Sequence, residues 1–552
     1  MAEHTDAATI ARAREERRRH WYAAGIYGSR SVGEALDAGL STCGGATLDF
    51  YTVSGHRRTT VAEAGAHGRR LAGALRGLGI GPGDVVAVQM PTQYESAVLY
   101  QAVFRAGATL LPIVHIYGPA EVGFILRQSR ARVLVIPDRW MKIDFIDRLR
   151  QIGSLPDLEY TIVFGTDVPA GAIAFEELQA RATDAFEPPR QSADEPCLLL
   201  YTSGTTAEPK GVRHSHNTLI SDWSVSSYVN DGSYLCCFPA GHTAGLNFMV
   251  RPWFHPISTV YMDHWQPELA AELIQRHRVR QSGGTPYFLV SMLRAAQAAG
   301  RDLSTLEFFS MGAASVTPAH VRLAEEHGFR AGRCYALTEH PTVTEQQPHW
   351  PFDKRARTDG RPMRNNEVRI LDADGQPLPA GETGEVATRA PELFLGYTNP
   401  ALDLECFMAD GWFRTGDIGH LDAEGFLTIT DRKKDIIIRG GENISSKEVE
   451  DVLAALPAVS EAAAVAMPDE LYGEKVCVFV TVRPGASLTL DEVVAHFRAS
   501  GVARQKTPER LVVLDEFPRT ASSKIKKFEL RARLRAGAVD GRAGSASGVG
   551  QA

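Results

Sequence analysis

The 552-residue sequence predicts an α/β protein. It calls for a large multi-subdomain N-terminal domain, made of parallel sheets flanked by helices plus a small β subdomain, and a smaller mobile α+β C-terminal domain. Three observations carry this. Short apolar runs alternate with longer helical patterns up to about residue 345. From there to about residue 430 the runs become short strands separated by turn signals. Beyond a very polar stretch, Asp431–Asp435 (DRKKD), a second strand and helix alternation begins. Length agrees: at ~150 residues per domain, with single domains of up to ~250 common, two to four domains are expected.

Each element has its own signal. Asp84–Met90 (DVVAVQM) is a buried strand stopped by Pro91, Glu95–Arg105 a helix, and Arg132–Ile136 (RVLVI) the next strand. Tyr160–Phe164 and Cys197–Tyr201 continue the series. Strand, crossover helix, strand is the pattern of a parallel sheet with helices on its faces. Glu367–Leu371, Gly384–Arg389 and Phe426–Thr430 are short strands, parted by the turns Asp372–Gly375 (DADG) and Asp422–Gly425 (DAEG). Ile436–Ile438, a Gly-Gly break and a helix over Lys447–Leu456 open the smaller domain. The expected divisions are 1–433, 434–535 and a tail, 536–552. Gly, Ala and Ser fill 12 of the tail's 17 positions, so it is expected to be disordered.

Composition excludes several classes. The chain is 44% hydrophobic and 23% charged, as an ordinary globular protein is. Net charge is −7, which argues against nucleic acid as a partner. The seven cysteines form no C-x-x-C pair, so neither a disulfide framework nor a zinc cluster is expected, and a reducing, cytoplasmic setting fits. No apolar run approaches the ~18–20 residues of a membrane span. The charged N-terminus, MAEHTDAATIARAREERRRHW, lacks the apolar core of a secretory signal.

The most informative segment is YTSGTTAEPKGVRHSH, Tyr201–His216. It follows a buried strand and groups Thr202, Ser203, Gly204, Thr205 and Thr206 ahead of Lys210 and Gly211. Hydroxyls and free N–H groups in a Gly-containing turn make a nest for phosphate oxygens, and lysine adds a mobile cation. It is not a Walker loop, because Gly-Val rather than Ser or Thr follows Lys210 and the next stretch is strand-like. MGAASV (Met311–Val316) is a small-residue loop on which a flat ring can lie. CYALTEH (Cys334–His340) offers an aromatic face, a hydroxyl and a carboxylate, the last being the hard ligand that Mg²⁺ on phosphates requires. GWFRTGD ends in Asp417, suited to gripping two vicinal hydroxyls. PRTASSKIKK (Pro518–Lys527) lies in a basic stretch: Arg504–Arg535 holds ten Lys/Arg against four Asp/Glu.

Together these segments resemble, in order and over residues ~80–530, the adenylate-forming superfamily of acyl-CoA synthetases, luciferases and peptide-synthetase adenylation domains. TSGTTAEPKGVRHSHNTL and RGGENISSKEVE look most like its acyl-CoA ligase branch. The resemblance implies ATP, Mg²⁺ and coenzyme A. It assigns Lys524 as the catalytic lysine, Thr338 to the α-phosphate and Glu339 to the metal. Tyr335 stacks on adenine, covered by Gly312, Ala313 and Ala314, and Asp417 grips the ribose with help from Arg432. His242, in FPAGHTAGLN, borders the acid's carboxylate. Around the acid it places Gly284, Thr285, Met311, Gly312, Ala336, Leu337 and His340. Lys434 maps to a hinge about which the small domain turns. Gly440 and Gly441 then replace Lys524 at the site and line a tunnel for pantetheine.

Three positions depart from the family pattern. Ala207, Ala336 and Ser523 stand where glycine is usual, and a Cβ there costs roughly 1 kcal/mol if φ is positive. The expected activity is an ATP-dependent acid–CoA ligase acting on an apolar medium-chain, alicyclic or aromatic acid. Three alternatives stay open. One is a thioester-forming enzyme with weakened adenylation, fed acyl-adenylate by a partner enzyme. Another is a ligase loading a carrier protein, and the last is a non-catalytic acyl- or nucleotide-binding protein.

Overall fold

The computed structural model describes residues 6–202, 209–225, 232–312, 316–439, 442–470, 472–500, 502–520 and 524–536. The expected tail therefore lies, beyond Ala536, outside the described residues. Two compact units emerge: Met1–Val368 with Thr388–Phe413, and Arg369–Ala387 with Arg414–Ala552.

The first unit is built on two sheets. A seven-stranded sheet runs Arg330–Arg333, Phe308–Met311, Gln281–Gly284, Ser233–Cys236, Ser258–Met262, Thr47–Thr52, Gly55–Thr60 from edge to edge. All neighbours are parallel except the closing hairpin of the last two. An eight-stranded sheet runs Gly396–Tyr397, Lys210–Ser215, Pro196–Thr202, Thr109–Pro112, Val85–Val88, Val133–Pro137, Tyr160–Phe164, Ile173–Ala174. It is parallel from Pro196–Thr202 onward and antiparallel at its other edge.

The core lies between these sheets. Val86, Leu110, Val133 and Leu198 of one sheet and Leu48, Phe50 and Tyr261 of the other belong to a single buried cluster. Helix Tyr94–Ala106 joins that cluster and buries every residue except Glu95, ending at Gly107 with φ +81°. Each fully buried large apolar side chain contributes about 1.5–3 kcal/mol. The strand expected over Asp84–Met90 is shorter, because Asp84 is spent on a turn: its carboxylate accepts the Gly81 N–H at 2.8 Å and pairs with Arg132 at 3.1 Å.

In the second unit the two predicted aspartate turns form. Asp372 Oδ1 accepts the N–H groups of Asp374 and Gln376, and Asp422 Oδ1 those of Glu424 and Phe426. Gly375 and Gly425 sit at φ +80° and +81°, which is why glycine closes each turn. Strands Glu367–Leu371, Gly384–Arg389, Phe413–Leu421 and Leu427–Arg432 form one sheet, and the first three have their first or last residues in the first unit, where the chain crosses. Gly473–Val482 is the centre of a second sheet, flanked by Val459–Asp469, Ile437–Arg439 and Arg510–Val513. Helices Ser446–Ala454, Leu490–Ala499 and Lys527–Arg535 complete this unit. Among the described residues no helix is long and apolar enough to cross a membrane.

Candidate active site

The phosphate-loop candidate is carried on two antiparallel rails. Pro196–Thr202 pairs with Lys210–Ser215, with Thr202 directly opposite Lys210. Ser203, Gly204, Thr205, Thr206 and Ala207 lie outside the described residues. Gly211 is required by close approach: a Cβ there falls 2.7 Å from Thr398 Oγ1. Beyond it the strand sends the buried His214 inward. Burial pushes this imidazole down to about 4, so it is neutral, and its Nε2 donates to the Thr338 carbonyl at 2.8 Å.

Thr338 and Glu339 are held from several sides. The Thr243 hydroxyl donates to Thr338 Oγ1 at 3.3 Å, and the Glu339 carbonyl accepts the Phe394 N–H at 2.9 Å. The Tyr397 phenol donates to Glu339 Oε1 at 2.6 Å. Burial first, then the Glu339 charge, pushes that phenol far up, so it stays a donor. The Lys210 ammonium stands 5.5 Å from the Tyr397 ring centroid. Lysine, aromatic ring and carboxylate thus form one chain. Among the described residues no cluster of three His, Cys, Asp or Glu could hold a metal alone. A single oriented carboxylate suits Mg²⁺, which keeps water and phosphate oxygens as its other ligands.

The remaining candidates of this unit fall into two groups. Gly284 and Met311 are register partners on adjacent parallel strands, and the Gly312 N–H donates to the Gly284 carbonyl at 3.2 Å. A Cβ on Gly284 falls 2.5 Å from the Phe288 ring, and one on Gly312 falls 3.1 Å from Cys334 Sγ. Thr285 precedes helix Pro286–Ala299, and its buried hydroxyl has no hydrogen-bond partner among the described residues. His242 caps helix Thr243–Val250, its Nδ1 accepting the Ala244 N–H at 3.3 Å. Tyr335 is buried, and its N–H donates to Thr344 Oγ1 at 3.0 Å.

Two residues grouped with the acid sit elsewhere. His340 is fully buried, between Thr388 at 3.1 Å, Glu392 at 3.2 Å and Asn366 at 3.0 Å. That network occupies both ring nitrogens, so His340 has no atom to offer a substrate. Leu337 packs on a cluster that contains Phe394, Tyr397, Phe407 and Phe413. Ala313 and Ala314 lie outside the described residues. Ala336 is exposed and is not among the positive-φ residues, so replacing glycine there stores no backbone strain.

In the second unit Asp417 and Arg432 are register partners on adjacent strands, and their charged groups are 2.7 Å apart. Gly416, at φ +73°, provides the bend that sets Asp417, whose own N–H donates to Thr415 Oγ1 at 3.1 Å. Asp417 is nearly inaccessible. Lys524 closes a hairpin, its N–H donating to Thr520 Oγ1 at 3.1 Å and its carbonyl accepting the Thr520 N–H at 2.7 Å. The Arg432 guanidinium, then desolvation, with Lys434 adding and Asp417 and Asp435 opposing, pushes the Lys524 ammonium down to about 7. Lys524 as a residue is exposed, so crowding by cations, rather than burial, is the cause that matters. Partial burial of its ammonium, then Arg432, pushes Lys434 down to about 8. Asp417, Arg432, Lys434 and Lys524 therefore share one electrostatic neighbourhood. Gly440, Gly441 and Ser523 lie outside the described residues. All seven cysteines are free thiols.

The AMP-binding enzyme family model matches residues 45–398, and the model of the AMP-binding enzyme C-terminal domain matches residues 448–524. A medium-chain fatty-acid–CoA ligase of Escherichia coli is 31% identical over 527 residues, covering 94% of this chain and 93% of its own. The salicyl-AMP ligase / salicyl-S-ArCP synthetase of Mycobacterium tuberculosis is 31% identical over 517 residues, with 90% of each chain covered. Among solved structures, an anthranilate CoA ligase in complex with anthranoyl-AMP superposes with a TM-score of 0.84 at 24% identity, over 92% of this chain and 98% of that one. Fold, ordered motifs and full-length similarity agree: this chain belongs to the AMP-binding enzymes, the adenylate-forming superfamily, in its acyl-CoA ligase branch.

Proposed function

We propose that this protein is an AMP-forming acid–CoA ligase that makes an acyl-CoA through an acyl-adenylate. The observation that carries this reading is the convergence of Lys524 with the Asp417–Arg432 pair in the second unit. A cation beside a ribose-gripping carboxylate is what attack of a carboxylate on the α-phosphorus of ATP requires. The acid and the nucleotide are both anionic, and charge grows as they meet, so the step needs positioning and a fixed positive charge.

In this reading Lys524 and the Thr338 hydroxyl stabilise the α-phosphoryl group as pyrophosphate leaves. Glu339 would hold Mg²⁺, which when bound neutralises phosphate charge. Thr202, Lys210 and the loop between them bind phosphates, Tyr335 and Gly312 the adenine, and Asp417 with Arg432 the ribose. Residues 434–535 act as a cap turning about Lys434, after which Gly440 and Gly441 admit the pantetheine thiol to the acyl carbon and AMP leaves. His242, Gly284, Thr285 and Met311 border the acid; the salicyl and anthranoyl chemistry named for the relatives favours an aromatic one. A carrier protein in place of CoA is supported by the salicyl-S-ArCP name of one relative. Free cysteines throughout favour a reducing cytoplasm.

The test is AMP release from the purified protein, expected only when acid, ATP and CoA are all present. Conversion of supplied acyl-AMP to acyl-CoA, with no AMP from any acid in a broad panel, would instead support the enzyme that depends on an adenylating partner.

A further inference from the structure

Asp222 is a buried carboxyl that the reaction just described does not use. It lies on helix His216–Ser224 and is only 6% exposed. Two segments meet it. Asn247 Nδ2 donates to Asp222 Oδ2 at 3.2 Å, and the Thr342 hydroxyl is near enough to favour the charged carboxyl. The Asn247 amide is itself oriented, because Trp223 Nε1 donates to Asn247 Oδ1 at 2.9 Å.

Both segments lead back to the reacting end. Asn247 is four residues after Thr243 on the helix that His242 caps, and Thr342 is four residues after Thr338. Thr243 and Thr338 touch through their hydroxyls at 3.3 Å. Four residues of helix advance ~6 Å and return to the same face. Asp222, reached through Asn247, therefore stands about one helical turn beyond Thr243 and the α-phosphate residue it touches, along the helix face that Thr243 and Asn247 share. That is the reach of one benzene ring, from a carboxylate carbon to a substituent on its far edge. Asn247 and Thr342 keep partial exposure while Asp222 lies beneath them. Burial, with Glu392 adding, pushes the Asp222 carboxyl up to about 6. With Asn247 donating to one oxygen, a carboxyl this deep keeps acceptor capacity that a donating ligand fills better than an apolar one.

We propose that Asp222, braced by Asn247 and Thr342, selects the acid: the substrate is an aromatic carboxylic acid with a hydrogen-bond donor, amino or hydroxyl, at the ring edge remote from its carboxylate. The inference rests on the acid–CoA ligase reading and sharpens its substrate class. A site built to pair with a donor rejects the analogue lacking it far more strongly than an apolar pocket rejects a missing methylene.

The test compares kcat/KM for AMP formation, with ATP and CoA, among 3- and 4-aminobenzoate, 3- and 4-hydroxybenzoate, benzoate and octanoate. The wild type is expected to favour at least one donor-bearing acid over benzoate by about 100-fold or more. Amino and hydroxyl arms show which donor is taken. Asp222→Leu is expected to bring the ratio to one or below, and the near-isosteric Asp222→Asn to lower it about tenfold. The ratio does not depend on how much of a variant folds, which separates selection from a merely structural role. Benzoate or octanoate used as well as every donor-bearing acid, or a ratio unmoved in Asp222→Asn, overturns the assignment while leaving the ligase reading intact. No AMP from any of these or a broader acid panel overturns the ligase reading, and this inference with it.

Discussion

Replacing Tyr397 by Phe removes one oxygen and leaves the ring. In the structure that oxygen donates to Glu339 Oε1 at 2.6 Å, and the ring lies under the Lys210 ammonium at 5.5 Å. A hydrogen bond to a charged group is worth about 1.5–3 kcal/mol. Glu339 is half-buried, so water replaces part of the loss and the lower end applies to stability. For function the orientation matters more. A carboxylate free to rotate holds a metal–phosphate complex less well, and about 1.5 kcal/mol corresponds to roughly tenfold in kcat/KM for ATP at limiting Mg²⁺. Tyr397→Ala also removes the cation–ring contact and adds about 0.5–1 kcal/mol. The assay is acid-dependent pyrophosphate release across a Mg²⁺ series for Tyr397→Phe, Glu339→Gln and the double variant. Coupling between the two sites is expected at about 1 kcal/mol or above, since Tyr397→Phe removes the bond and Glu339→Gln takes away the charge that strengthens it. Additive effects within ~0.5 kcal/mol would refute the claim that Tyr397 acts by aiming Glu339.

Two further predictions follow from the same geometry. Ala336→Gly should leave adenylation within about twofold, because Ala336 is exposed and free of positive-φ strain; a gain of tenfold or more would show that the lost glycine had weakened the first step. Arg432→Gln should move the alkaline limb of the adenylation profile. The Lys524 ammonium, pushed down to about 7 in the free protein, is charged below that pH and neutral above it, so kcat/KM should fall as pH rises through ~7. Arg432 is the largest influence lowering Lys524, and removing one neighbouring like charge is typically worth about 1.4 kcal/mol, roughly one pKa unit. The limb should therefore shift upward by about a unit, to be read from pyrophosphate release at fixed ionic strength, and a limb that stays put would mean that Arg432 does not set it.

How far the sequence could be read depended on the range of the contacts. Tyr160–Phe164 and the two aspartate turns were legible because local chemistry decides them: β-branched and aromatic residues for the strand, an Asx carboxylate and a positive-φ glycine for each turn. Asp84 was read into a strand because its apolar neighbours hid the carboxylate's turn. Of the candidate site, the order of Thr202, Lys210, Thr338, Glu339, Asp417, Arg432 and Lys524 was legible from the resemblance. Their supports were not. His214 reaches Thr338 across 124 positions, Thr243 across 95, and Tyr397 reaches Glu339 across 58, and no local pattern announces such partners. Alternation along GVRHSH does point His214 to the interior, which is the one signal available. His340, grouped with the acid for its place after Glu339, is claimed by Glu392 and Asn366, residues far along the chain that only folding brings to it. Asp222 escaped attention because a lone Asp in a helical stretch reads as a solvated face until the neighbouring helix covers it.

In the proposed reaction Lys524 serves the first half-reaction and the cap's glycine loop the second, a division of labour open to experiment. It is tested most directly by following both halves separately in Lys524→Ala, with the substituted chain shown to be folded. Pyrophosphate release driven by acid and ATP is expected to fall by about 100-fold or more, the usual consequence of losing about 2.7–4 kcal/mol of transition-state charge stabilisation. Conversion of supplied acyl-adenylate and CoA to acyl-CoA should stay within about threefold of the wild type. Equal loss in both halves would contradict it.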